Sequence, residues 1–415
     1  MSSNGENANE PNQPNAAKLP AQKGKVAQPI RGRAGFFMRF RTMARTGIRM
    51  MFHDWLKMSG TMLGVVFAVV LSNQQLGTFL GLLYKNVMFV RNTPAELWIV
   101  PPGAETVQGG KVIPFSDILA ARTTPGVAEA EPIIFATAVV SLPAGGNEPV
   151  NLVGVSYPSY LGGPWNLVAG KTDVLNRPDT MIFEDSERET LGGLNVGSVR
   201  EVNGRRITAG AFTWGLIPFG PSYAFADYEL ARELTRLPRD QANFALVKLK
   251  PGEDPVRVKT EILSRINKDT QVLTKAEFEG IIVKNILTKT AIGITFGTST
   301  VFGLVVGFVI VSLSMFSAVV DNIREFGTLK AIGATTFDLA ILLFVQSVLY
   351  GVLGSAIGLF LVSRMALGIR SAKLALNLPP QLTFGTVVVM VTMCVMASSL
   401  ALLRIRKVEP AMVFR

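Results

Sequence analysis

Few residues in this sequence have the types or the spacing that chemistry demands. Gly170-Lys171-Thr172 ends like a phosphate-binding loop, but that motif needs a glycine at position 165, where Trp165 stands. Glu184, Asp185 and Glu187 offer carboxylates for acid–base work, yet no other acid is paired with them across a cleft, and such a cluster at a turn reads as solvated surface. Residues 85–285 contain no histidine and no cysteine, which removes the commonest general base, the thiol nucleophile and the usual transition-metal ligands. The lone His53 lies in a basic stretch and the lone Cys394 in an apolar block, so neither a disulfide framework nor a thiol metal site is expected. Catalysis by this chain is the least favoured reading, and no metal or cofactor is expected on it.

One stretch has a pattern of a different kind. Asp321 to Thr335 is a polar segment between two long apolar blocks, in which Ile323, Phe326, Leu329 and Ile332 recur at every third position. This spacing predicts an apolar helical face, with Lys330 intruding on it and Arg324 and Glu325 exposed. Gly333 should break the helix, and Thr335 with Asp338 has the spacing of a capping box that starts the next one. A short element with apolar knobs could dock on a partner. From these residues alone, a plain loop that follows the charge rule of membrane proteins reads equally well.

The elements that position this segment are membrane helices. At 415 residues, 48% hydrophobic and 17% charged, with a mean hydropathy of +0.35, the chain is too apolar to be soluble, and its apolar residues are gathered in blocks of about 20 or more. The expected fold is α-helical with four transmembrane helices and one α+β extracytoplasmic domain inserted between helices 1 and 2. Residues 1–34 read as a disordered cytoplasmic arm, and 35–58 as an interfacial amphipathic helix with Phe40, Ile48 and Trp55 on its apolar side, where Arg41 also falls, and Gly47 as a candidate break; a plain basic flank to the first span reads equally well. Spans follow at 59–84, 286–320 (with a stalk), 337–363 and 382–403. Between them lie the domain (85–285), a cytoplasmic loop (321–336) and a cytoplasmic tail (404–415). Strands are expected near 96–100, 133–142, 150–155, 180–183, 198–202, 222–226 and 244–249, and helices near 116–122, 228–237 and 255–266.

Ten Lys and Arg precede the first span and should hold the N-terminus in the cytoplasm. They also account for much of the +11 net charge; without a recognition motif that charge points to anionic lipid and not to nucleic acid. Arg364, Arg370 and Lys373, near the second outside loop, run against the charge rule. Gly60 to Gly64, Gly77 to Gly81, Gly303 to Gly307 and Gly354 to Gly358 have the small-xxx-small spacing that allows close helix packing or dimerisation. Ionisable residues are nearly absent from the span centres, so an ion relay is not expected and energy must come from elsewhere.

Arg324-Glu325-Phe326-Gly327 followed by Leu329 to Ala334 resembles the coupling segment of the FtsX-like, MacB-type ABC permease family. The layout from about residue 35 and the ending Val408-Glu409-Pro410-Ala411 are similar as well, and the inserted-domain segments resemble those of DevC-type exporters. The resemblance implies a homodimer in the cell inner membrane, with both termini cytoplasmic, that binds a separate cytoplasmic ABC ATPase subunit. Arg324, Glu325, Phe326, Gly327, Leu329, Lys330, Ile332 and Gly333 would then form the ATPase-coupling loop, with ATP held by the partner. It further implies a periplasmic membrane-fusion adaptor and an outer-membrane channel, and export or extraction of a hydrophobic or amphipathic cargo. A non-transporting signal transmitter that controls a periplasmic enzyme is the alternative within the same family.

Overall fold

Long apolar runs without proline or charge can only be satisfied in a bilayer as helices, because each backbone N–H and C=O must find its partner within the segment. A computed structural model describes residues 33–218, 220–368 and 376–406. The expectations placed on residues 1–32, on Arg370 and Lys373 and on the tail from residue 407, including Val408 to Ala411, lie outside the described residues. Four described helices are long and apolar enough to span a membrane.

Along the chain, α1 (Arg33–His53) and α2 (Trp55–Asn92) lead into β1 (Leu97–Val100), β2 (Ile113–Pro114) and α3 (Phe115–Arg122). Then come β3 (Val127–Ser141), β4 (Asn147–Val155), β5 (Leu167–Ala169), β6 (Thr180–Glu184), β7 (Val199–Val202), β8 (Arg205–Thr213) and β9 (Tyr223–Asp227). The inserted domain ends with α4 (Tyr228–Thr235), β10 (Gln241–Ala242), β11 (Phe244–Leu249), α5 (Pro255–Leu263) and β12 (Gln271–Thr274). After it run α6 (Lys275–Lys289), α7 (Ala291–Asp321), α8 (Ile323–Ala331), α9 (Thr336–Gly368) and α10 (Pro380–Arg406).

The domain is built on the 15-residue strand β3, which serves two layers. Its first half continues the order β12-β1-β11-β3, covered by α3 and α5 over a core that includes Ile99, Ile118, Val247 and Ile262. Its second half belongs to a closed ring: β3 pairs β4, β4 pairs β9, β9 pairs β6, β6 pairs β8, β8 pairs β7, and β7 returns to β3. Ile134, Leu152, Met181, Ile207 and Ala224 fill that ring, and α4 contributes Leu230 and Leu234 to the same core. A closed ring leaves no free edge inside it, so among the described strands the ends of this large sheet lie at β12 and β5, with β10 and β2 forming a separate two-stranded sheet.

In the membrane bundle, Val65, Val69, Val311, Tyr350, Met390 and Cys394 form one core. Some of the spaced glycines serve packing within the chain: a Cβ on Gly354 or Gly358 would press into Val65 or Val69, and one on Gly64 into Ser314, whereas one on Gly60 or Gly303 would meet open space. Asn73 of α2 accepts a 2.9 Å hydrogen bond from Thr386 of α10.

Among the boundaries that differ from the sequence expectation, two lie in the helices that lead into or along the membrane bundle. Gly47 lies inside an unbroken α1, where its missing side chain lets α9 approach with Leu342, and the chain breaks instead at Asp54, which caps α2. The apolar run from 286 is not one helix, since α6 ends at Lys289 and α7 begins at Ala291.

Candidate functional site

The segment 321–336 folds as a helix held at both ends. Asn322 separates α8 from α7, and its side-chain amide donates to the Ala318 carbonyl at 2.8 Å. At the far end the Gly333 N–H donates to Lys330 O and the Ala334 N–H to Leu329 O, at 3.0 and 2.9 Å. This pair of bonds is a Schellman motif, which requires a left-handed residue, and Gly333 supplies it with φ +108°. Two residues on, Thr335 N donates to Asp338 Oδ2 at 2.9 Å and Asp338 N to Thr335 Oγ1 at 3.2 Å, the reciprocal cap that starts α9. Helix, turn and next helix are thus fixed in three residues.

Packing sets the orientation of α8. Phe326 is 2% exposed and sits among Val319, Leu339, Leu342 and Leu343, with Leu329 and Met50 of α1 against the same cluster. Gly327 is buried beside it, Ile323 and Lys330 are half-buried, and Arg324, Glu325 and Thr328 face outward. The expected four-residue apolar face is therefore corrected: Ile332 is 80% exposed. A repeat of three drifts by about 60° per step on a helix of 3.6 residues per turn, so by Ile332 the row has turned to the opposite side from Ile323. The outcome is an exposed apolar tip, Ala331 and Ile332, on a base that cannot easily rotate.

From this end two routes lead to the inserted domain. One is α2, which at 38 residues is about 57 Å long and outreaches the roughly 30 Å hydrocarbon layer. Its last turns enter the domain core, where the Phe89 ring lies 4.5 to 6.2 Å from the ring centroids of Phe135, Tyr223, Trp165 and Trp98. The other route is α6, whose Phe278 and Ile282 reach the same core and whose Glu279 pairs with Arg91 of α2 at 2.8 Å.

Unlike α2, this second route is jointed. The Thr290 hydroxyl donates to Ile286 O at 2.8 Å and accepts from Gly293 N at 3.1 Å, closing α6 and opening α7 with one side chain. Gly293 is buried against the end of α6, where any Cβ would overlap the Ile286 carbonyl oxygen. Sequence reasoning missed Phe89, Thr290 and Gly293. The only signal was an aromatic residue past the expected end of the first span.

The other sequence candidates have structural places. Glu184 is fully buried, not solvated: it accepts from the Thr213 and Ser186 hydroxyls and from the backbone N–H groups of Gly215 and Leu216. Burial raises its pKa above the ordinary carboxylate range, against the pull of those four donors. Gly170-Lys171-Thr172 runs from β5 into a 3-10 turn, Thr172–Asn176, and Trp165 packs edge-on to Phe89 and Phe225. Among the described residues no group of three or more His, Cys, Asp or Glu is placed to hold a metal ion.

The sequence matches two family models. Residues 58–265, half of the chain, match the MacB-like periplasmic core domain, and residues 297–410 match the FtsX-like permease C-terminal region. The chain belongs to the FtsX-like, MacB-type ABC transporter permease family. The C-terminal match of this family spans α7 through α10 and so contains the α8 turn. A protein of Methanocaldococcus jannaschii described as an uncharacterized ABC transporter permease is 31% identical over 126 residues, 29% of this chain and 30% of that one. The chain thus covers less than a third of that relative's length. Two solved structures are similar to the domain. The extracellular domain of the noncanonic ABC-type transporter YknZ from Gram-positive bacteria has 14% identity and a TM-score of 0.33, with 43% of this chain and 99% of that one covered. The periplasmic region of MacB from Actinobacillus actinomycetemcomitans has 13% identity and a TM-score of 0.35, with 49% of this chain and 97% of that one covered. Family membership rests on the sequence models; this is a multi-pass membrane permease whose inserted domain is of the MacB-like class.

Proposed function

We propose that this permease carries motion from a separate ATPase subunit on its cytoplasmic side to the inserted domain outside, and thereby exports or extracts a hydrophobic or amphipathic cargo. The α8 tip carries this reading: Ala331 and Ile332 are exposed on a helix locked by Phe326 and by the Gly333 turn. An apolar knob on a fixed base is suited to transmit force, because a contact on a mobile loop would be absorbed by the loop. In this reading ATP is bound by the partner, two copies of the permease form a homodimer in the cell inner membrane, and both termini are cytoplasmic. A periplasmic membrane-fusion adaptor and an outer-membrane channel of the DevC-like or MacB-like kind complete the machine.

The test is purification of a tagged copy in mild detergent with identification of the retained proteins. An ABC ATPase subunit is expected, and Ile332→Asp should lower its recovery roughly tenfold or more, the usual scale for a buried apolar anchor at an interface. A complex with no nucleotide-binding subunit contradicts the reading. An adaptor among the retained proteins supports export, whereas a stable periplasmic enzyme in its place supports signal transmission.

A further inference from the structure

We infer that α1 carries a binding site for anionic phospholipid headgroups, formed by Arg41, Arg45 and Arg49. The inference rests on the four-span reading and is independent of ATPase docking.

The three arginines are exposed and stand at intervals of four, so they form one ridge about 12 Å long. Helix α1 contains no Asp or Glu at all. Of the acids on the neighbouring elements, Asp54 pairs with Lys57 at 2.9 Å, Asp321 and Glu325 act on that same Lys57, and Asp338 is 6% exposed and accepts from Thr335, with Arg39 within electrostatic reach. Among the described residues no ion pair reaches Arg41, Arg45 or Arg49. Three uncompensated guanidinium groups on one ridge call for an anionic partner, and the guanidinium fork matches phosphate oxygens.

The surroundings select a lipid over a soluble phosphate. Ile48, Phe52, Trp55 and Leu56 are exposed at 38%, 55%, 70% and 67%, beside the ridge and at the start of the membrane helix α2. Exposed apolar side chains next to a cationic row set a helix at the headgroup boundary, with the aromatic residues among the acyl chains and the arginines at phosphate depth. The opposite side of α1 is taken by α9, where Gln346 Nε2 donates to Gly47 O at 3.0 Å. A headgroup on the ridge would therefore lie one helix away from the coupling turn. Zwitterionic lipids carry the same phosphate, but their choline or ethanolamine neutralises it, so net-anionic lipids should be preferred.

The full chain is equilibrated in detergent with equal amounts of phosphatidylglycerol and phosphatidylcholine of matched acyl chains, and retained lipids are weighed by native mass spectrometry. Wild type should retain phosphatidylglycerol in preference. R41Q/R45Q/R49Q should lose that preference by on the order of a hundredfold, and Arg45→Gln alone by about fivefold, at about 1 kcal/mol per arginine near an anionic surface. Arg265→Gln, in the inserted domain, should leave it unchanged. Equal retention of the two lipids by wild type overturns the inference. So does unchanged preference in Arg45→Gln and the triple variant, or displacement of the lipid by millimolar glycerol phosphate, which would mark a soluble-anion site.

Discussion

Glu184 sits at the end of β6 with a hydrogen-bond donor for each of its lone-pair directions, two of them from the backbone just after β8. Its charge is costly to bury, and its raised pKa means that the folded chain holds the proton more tightly than the unfolded chain. Stability from this group is therefore fully present below the unfolded carboxylate pKa of about 4.3 and is lost as pH rises through the higher folded value. Glu184→Gln has no such proton, so the slope of melting temperature against pH in that window should flatten. Two donors would also lose their acceptor, at about 1–3 kcal/mol. Thermal unfolding followed by tryptophan emission between pH 4 and pH 7 checks both effects; an unchanged slope would contradict the account of burial. In sequence this residue looks like part of a solvated acidic turn, because what buries it is supplied from Thr213, Gly215 and Leu216, about thirty positions away. Gly333 and the Thr335–Asp338 cap, in contrast, are local devices, and their spacing alone indicates them.

At the scale of elements, the two links to the domain differ in kind. Helix α2 passes unbroken from Trp55 to Asn92, while α6 and α7 meet at the Thr290 joint. In the proposed transmission, a stiff rod beside a jointed one would convert axial displacement into tilt centred on Gly293. Gly293→Ala would force the end of α6 away from α7, with an overpacking cost of about 1–3 kcal/mol. Limited proteolysis should then cut first near residues 287–293, where wild type resists; the same cleavage pattern in both chains would argue against a tight joint. Nothing in the apolar run from residue 286 signals this break, since a threonine that caps a helix reads like any lipid-facing threonine. Strands near 150, 180, 198, 222 and 244 are legible from short β-branched or aromatic runs between turn residues. By contrast, β8 is not, because Arg205-Arg206 opens it and small residues fill its centre. The first half of β3 is hidden likewise by Glu129, Glu131 and Pro132.

Across the whole molecule, the four spans and the inserted α+β domain follow from hydropathy and flanking charge. The closed ring does not, since β7 returning to β3 is a pairing between segments about sixty residues apart that no local pattern encodes. In the proposed function, nucleotide on a partner at the α8 tip moves the inserted domain through α2 and α6. Cys394 is the chain's only cysteine and is buried in the bundle, so a spin label on Lys268→Cys, exposed in the domain, would be selective. The decisive measurement is the label-to-label distance between two copies in the complex, with and without a non-hydrolysable ATP analogue. A shifted distance distribution is expected on adding nucleotide, and none when Gly333→Ala strains the turn that orients the tip. An unchanged distribution in a wild-type complex that holds both the ATPase and the nucleotide would contradict it.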